Sequence, residues 1–321
     1  MAQNIKLSIS CLTYNHENYI RKTLDGFLMQ KTSFDFEVLI HDDASTDGTA
    51  DIIREYEAKY PNIIKPIYQK ENQHSQGVRI SNVFQYPRAQ GEYIAWCEGD
   101  DFWTDENKLQ AQVDFLDNNP QYIGCVHKYI TVNKEGEETN LKTFGYYENE
   151  GVYTLKDFET NELPSQLATY VVRNIFCKEG KSYPSSFQAI KMQGDIKMNL
   201  YLLIYGDIYR LPNVSSAYRF VSEAGGSSWS SRMLKNYNAS YNCWKALKLL
   251  EKATFDEYNV KISLKKRKIE ASISVVKIAL KKPNAKTIGH ALHVLFMQRG
   301  ILITIFKMAF RRKNKSRREK V

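Results

Sequence analysis

The stretch IAWCEGDDFW, residues 94–103, decides how this chain is read. An apolar run ends in Glu98, Gly99, Asp100 and Asp101, and Phe102 and Trp103 follow at once. Carboxylates packed this closely repel one another unless something positive resolves them. Oxygen donors on a short loop suit a hard divalent cation such as Mg²⁺ or Mn²⁺, which can also bridge the phosphates of a ligand. The same residues also read as a solvated acidic turn that caps the next helix.

The flanking sequence favours the first reading. Apolar alternation over 6–12 predicts a strand, and 18–30 has helical spacing with Ile20, Leu24, Phe27 and Leu28 on one side. Strands are expected over 36–43, 62–68, 92–97 and 123–132, and helices over 46–60, 77–86 and 105–119. Strand and helix alternating in this way predict an α/β fold, a doubly wound and mostly parallel sheet. Ligands of such sheets bind outside the carboxyl ends of the strands. Three polar clusters fall there: TYNH (13–16), HDDAST (41–46) and EGDD (98–101).

Each cluster has a chemical and a plainer reading. Asp43, at a strand end, can accept hydrogen bonds from a nucleobase N–H or a ribose hydroxyl, while Ser45, Thr46 or Asp47 can cap the following helix. Tyr14 can flank a base, or the loop with Asn15 can simply lead into a helix. His16, His41, His74 and His127 lack metal-ligand spacing. Further on, 168–174 reads as a strand, 194–207 as a helix followed by IYRLPN (208–213), 133–138 as a hairpin turn, and the chain is helical from about 238.

Charge divides the chain. Residues 261–321 hold 18 Lys/Arg against 2 Asp/Glu, a net +16, whereas the remainder is −7. A basic tail predicts an anionic partner. Its apolar stretches, including ILITIFKMAF (301–310), are too short to span a bilayer but suit an interfacial helix, so an anionic membrane surface is expected and nucleic acid is not. The plainer alternative is a helical pair packed on the body with a disordered basic end. Five scattered cysteines without a C-x-x-C pair predict reduced thiols in a cytosolic chain, and no secretory leader pattern is present.

The ordered set TYN, then DDASTDGT, then GEYIAWCEGDDFW resembles the bacterial family-two glycosyltransferases, inverting enzymes of the GT-A fold. The resemblance covers residues 5–130 strongly and reaches about 230 more loosely. It implies a GT-A domain over 1–235, with a nucleotide-sugar half at 1–130 and an acceptor half at 131–235, and a basic, helical, membrane-associating region at 236–321. Carried over residue by residue, it implies that Thr13, Tyr14, Asn15 and Asp43 hold the nucleotide. Asp100 then contacts the sugar nucleotide and Asp101 ligates the metal, Mn²⁺ or Mg²⁺.

Asp195 matches the base carboxylate, with Ile196 standing where many relatives carry Trp; capping the helix is its plainer role. Val221 stands where relatives often carry a phosphate-contacting His, which leaves Arg219 or Ser227 as substitutes. The implied donor is a nucleotide diphosphate sugar, UDP-linked, and the acceptor a glycan or lipid-linked hydroxyl in surface polysaccharide synthesis. The implied location is cytoplasmic, peripheral at the inner face of the cell membrane. Two other readings remain: a sugar-phosphate nucleotidyltransferase, although LTYNHENY is not a Gly-rich phosphate loop, and a non-enzymatic module using the basic tail.

Overall fold

In the computed structural model the described residues are 4–140, 146, 148–160, 162–176, 184–192, 194–221 and 238–297. Ser227, Cys177 and the 301–310 segment lie outside them. The chain divides into two compact units. The first comprises Met1–Phe158, Glu162–Ser185 and Gly194–Val221; the second comprises Glu159–Asn161, Ser186–Gln193 and Ser222–Val321.

The first unit opens with β1 (Ile5–Thr13), α1 (Ile20–Leu28), β2 (Asp35–Asp42), α2 (Thr49–Lys59) and β3 (Ile64–Tyr68). Then come β4 (Tyr93–Trp96), β5 (Phe102–Trp103), α3 (Lys108–Asn118), β6 (Tyr122–Val132), β7 (Glu138–Thr139) and β8 (Gly151–Tyr153). It continues through α4 (Leu155–Phe158) and β9 (Val171–Arg173). α6 (Gly194–Tyr205) and β10 (Asp207–Arg219) complete it, following α5 (Ser185–Ala189), which belongs to the second unit but for Ser185. The helix expected over 77–86 is a π turn at Ser81–Gln85 and a 3₁₀ turn at Tyr86–Arg88. Pro87 removes a backbone donor there, so a regular helix cannot run on.

The sheet order is β3-β2-β1-β4-β9-β6-β10-β5. The β3-β2-β1-β4 half is parallel, as the strand-helix alternation predicts. The other half is mixed: β9 lies antiparallel between β4 and β6, and β10 runs parallel to β6 but antiparallel to β5 and β8. Leu7, Ile9, Cys11, Val38, Ile40, Tyr93 and Ala95 share one face of the sheet and are buried in one cluster with Leu24, Phe27, Ile53, Leu109 and Val113 of the helices. At roughly 1.5–3 kcal/mol for each large side chain taken from water, this core sets the register that aligns the strand ends.

Phe102 and Trp103 are core residues. They form β5, pair with Ala217 and Ser216, and are 6% and 2% exposed. Trp103 packs on Phe27 and donates its indole N–H to Ala168 O at 2.9 Å.

The second unit holds α7 (Ala239–Tyr258), α8 (Lys265–Lys281) and α9 (Ala285–Met297). Trp244, Val275, Ala279, Ala291 and Val294 form its small core. Among the described residues Cys11, Cys97, Cys125 and Cys243 are free thiols, and no helix is long and apolar enough to cross a membrane.

Candidate active site

β1, β2 and β4 are parallel neighbours, so their carboxyl ends deliver the three polar loops to one edge. The first two loops are sewn together. Asn15 Oδ1 accepts Thr46 N–H at 2.8 Å, and Ser45 Oγ accepts Asn15 N–H at 2.9 Å. Thr49 Oγ1 accepts His16 N–H at 2.8 Å, and Glu17 Oε2 accepts Gly48 N–H at 2.8 Å. Asp47 Oδ1 accepts the N–H of Thr49, the first residue of α2, at 3.0 Å, while Gly48 occupies the N-cap position. Asn15 and Ala44 have φ of 56° and 62°, the left-handed region that costs a non-glycine residue about 1–2 kcal/mol.

The third loop packs against the first. A Cβ on Gly99 would lie 2.6 Å from Thr13 Oγ1, so only glycine fits. Thr13 Oγ1 and His16 Nδ1 are buried here without hydrogen-bond partners. Tyr14 is 40% exposed, leaving its ring open to a ligand. Asp43 is buried and holds the next loop, accepting Gln73 N–H at 2.7 Å and His74 N–H at 3.0 Å.

The two adjacent acids differ sharply. Asp101 is 1% exposed and both its oxygens are engaged: Oδ1 accepts Arg219 N–H at 2.8 Å, and Oδ2 accepts Gln166 Nε2–H at 2.6 Å. Its backbone carbonyl accepts Thr23 Oγ1–H at 2.6 Å. Burial, then Asp100, pushes its carboxyl well up, while the two N–H donors pull the other way. Asp100 keeps a partly exposed carboxylate, whose Oδ2 lies 3.9 Å from His16 Nε2. Glu98 is reached by water yet surrounded by protein; that desolvation, then Asp100 and Asp195, push its carboxyl up.

Arg219 braces this loop. Its Nε donates to Asp100 O at 2.9 Å, and its Nη1 donates to the carbonyls of Asn133 and Lys134 at 2.8 Å. The guanidinium also lies 4.3 Å from the centre of the Tyr19 ring. So it is committed to backbone carbonyls and an aromatic face, and serves as a brace.

Beneath β4, buried Lys108 donates to Gln112 Oε1 at 2.8 Å and sits 4.1 Å from the Trp103 ring centre. Burial pushes its ammonium down to about 7.

Asp195 is exposed on the first turn of α6. The helix N-terminus favours its negative charge. Its charge is felt by Glu98, Tyr146 and Tyr170, which puts it in the neighbourhood of the acidic loop. A buried chain fixes that turn: Tyr170 Oη lies 2.9 Å from Asn199 Oδ1, and Asn199 Nδ2 donates to Asp195 O at 2.9 Å.

Thr13, Tyr14, Asn15, Asp43, Asp100 and Asp101 thus share one sheet edge, with Asp195 within electrostatic reach of Glu98. Glu98 and Gln166 also belong to the site. Gln166 reaches Asp101 across 65 positions, a contact that leaves no local pattern.

Among the described residues no group of three or more His, Cys, Asp and Glu side chains is arranged to hold a metal. A cation bound mainly through substrate phosphates needs only one or two carboxylates, and Glu98 is exposed and Asp100 partly exposed, so both are open to such a cation.

The family model for glycosyl transferase family 2 matches residues 8–172, just over half of the chain, and the chain belongs to this family. An uncharacterized protein of Mycobacterium tuberculosis, Rv1520, is 46% identical over 130 residues, 40% of this chain and 37% of that protein. The minor teichoic acid biosynthesis protein GgaA of Bacillus subtilis is 33% identical over 135 residues, 40% of this chain and 29% of that one. The chain therefore spans well under half the length of these relatives.

In fold, the chain resembles S. aureus TarS residues 1–349 in complex with UDP-GlcNAc, with a TM-score of 0.60 at 17% identity over 91% of this chain and 80% of that one. It also resembles a mannosyltransferase of Pyrobaculum calidifontis in complex with GDP-Man and Mn²⁺, with a TM-score of 0.50 at 14% identity over 96% and 85%. The architecture is the GT-A glycosyltransferase fold, a mixed curled sheet with flanking helices.

Proposed function

We propose that this chain is an inverting glycosyltransferase. It moves a sugar from a UDP-linked donor to a hydroxyl of a glycan or lipid-linked acceptor in bacterial surface polysaccharide synthesis, working as a peripheral protein at the cytoplasmic face of the membrane. The observation that carries this reading is the gathering of an open aromatic, buried acceptors and the accessible side chains of Glu98 and Asp100 at the carboxyl ends of the parallel strands β1, β2 and β4. The UDP-GlcNAc bound to TarS, a fold relative, supports the donor class, and GgaA supports the polymer class.

In this reading Tyr14 flanks the base, and Thr13, Asn15 and Asp43 shape the nucleoside pocket. Asp100, with Glu98 beside it, holds Mn²⁺ or Mg²⁺. The metal role expected of Asp101 falls to Asp100 here, because both oxygens of Asp101 already accept hydrogen bonds. The cation, when bound, supplies Lewis-acid stabilisation of the departing diphosphate. Asp195 accepts the acceptor's hydroxyl proton while that oxygen bonds to the anomeric carbon. The bond from that carbon to the diphosphate oxygen breaks, and attack from the opposite face inverts the configuration. Asp101, Gln166 and Arg219 keep the acidic loop in place, so little reorganisation accompanies the reaction.

The test is nucleoside diphosphate release across a panel of UDP-, GDP- and TDP-sugars with Mn²⁺ or Mg²⁺ and membrane-derived acceptor. Release with a UDP-sugar, lost on chelation, is expected. Release from no sugar nucleotide would overturn the reading.

A further inference from the structure

α9 has two apolar faces. Thr287, Ala291 and Val294 point inward, with Ala291 and Val294 in the small core around Trp244. That face already satisfies the packing of an amphipathic helix. Yet Ile288, Leu292 and Phe296 are 45%, 62% and 75% exposed. Their i, i+4, i+8 spacing lines them along one side of the helix. Lys286 is the only formally charged residue in α9, and Leu280, 78% exposed, lies in the last turn of the preceding helix. Scattered exposed apolar residues are ordinary, but a continuous apolar row marks an interaction surface.

Charge decides what covers it. Residues 238–297 carry twelve Lys/Arg against four Asp/Glu, and Lys281, Lys282 and Lys286 are exposed near the start of α9. The sequence after α9, residues 298–321, adds nine Lys/Arg against one Asp/Glu. A second copy would set like charge against like. A nucleic acid would match the charge but leave the apolar row in water. An anionic bilayer matches both, taking the apolar row below its headgroups and the lysines at its surface.

We infer that the outer face of α9, Ile288, Leu292 and Phe296, is the bilayer-contacting surface of this chain. The inference rests on the membrane part of the proposed function and names the residues that make the contact.

The test uses the full chain and sonicated vesicles, either phosphatidylcholine alone or phosphatidylcholine with phosphatidylglycerol. Wild type is expected to co-sediment with the anionic vesicles, more weakly at 1 M salt, where the Debye length falls to about 3 Å. Leu292→Glu/Phe296→Glu is expected to reduce partitioning by roughly tenfold or more. Both positions are exposed, so its thermal melting should match wild type. In a second variant, Leu292→Trp, emission should shift blue on vesicle addition and be quenched by brominated lipid.

Wild-type binding with undiminished binding of the double variant, or an unquenched Trp, would overturn the α9 inference while leaving membrane association standing. Absence of wild-type binding would overturn both. A wild-type dimer in solution that the double variant breaks would show that a second copy covers this face.

Discussion

The strand-end loops of the first unit and the helices of the second treat surplus charge in opposite ways. In the loops, carboxylates are drawn in and fastened: Asp43 by the amides of residues 73 and 74, Asp101 by Arg219 N–H and Gln166. In the helices, Lys281 and Lys286 are exposed, beside half-buried pairs such as Lys268–Glu251 at 2.6 Å. Fastened charge defines a fixed geometry, which chemistry needs. Loose charge adapts to a surface without fixed geometry, and is worth little to stability.

The largest effect that would break this contrast concerns Asp195. Asp195→Asn should bind UDP with metal as wild type does yet lose transfer by about 10²–10⁴-fold, because only a proton acceptor is removed. Titration calorimetry beside a turnover assay separates the two, and loss of UDP binding would move Asp195 to the donor side.

Asp101→Ala comes next. It leaves Gln166 Nε2 and Arg219 N–H buried without their acceptor, so unfolding free energy should fall by about 2–4 kcal/mol. Asp100→Asn should cost little, since that side chain is partly exposed. Equal losses in urea unfolding would erase the distinction between the neighbours.

Lys108 sharpens the picture of the floor beneath them. Its folded pKa of about 7 lies below the ordinary value of 10.5, so the unfolded chain binds more protons between those values. Stability therefore rises with pH across that window. The wild type should gain on Lys108→Met as pH moves from about 7 toward 10, measured by denaturant midpoints. A flat difference would mean that Lys108 stays charged.

The smallest effect belongs to Ala44, at φ 62°. Ala44→Gly should raise stability by ~0.5–1 kcal/mol, the relief of left-handed strain less the entropy of glycine. Destabilisation would show that the loop is held otherwise.

Much of this was legible in the sequence because it is local. Strand periodicity and capping residues place β1, β2 and β4, and the loops follow at their ends. The antiparallel placement of β9 was not, because Tyr93 pairs with Arg173 across 80 positions and no periodicity encodes that. β5 is two residues long, too short for any pattern. The split between Asp100 and Asp101 was hidden for the same reason: adjacent identical residues are distinguished only by distant Gln166 and Arg219. Neither could α9's outer row be told from core until Val294 was seen to face Trp244.

Titration of UDP with Mn²⁺ into wild type and Asp100→Asn shows whether the accessible acid works on the ligand while its buried neighbour holds the loop. Wild-type binding that needs Mn²⁺ is expected, and in Asp100→Asn loss of that metal dependence with an unchanged melting temperature. Metal-dependent UDP binding that survives in Asp100→Asn would contradict it.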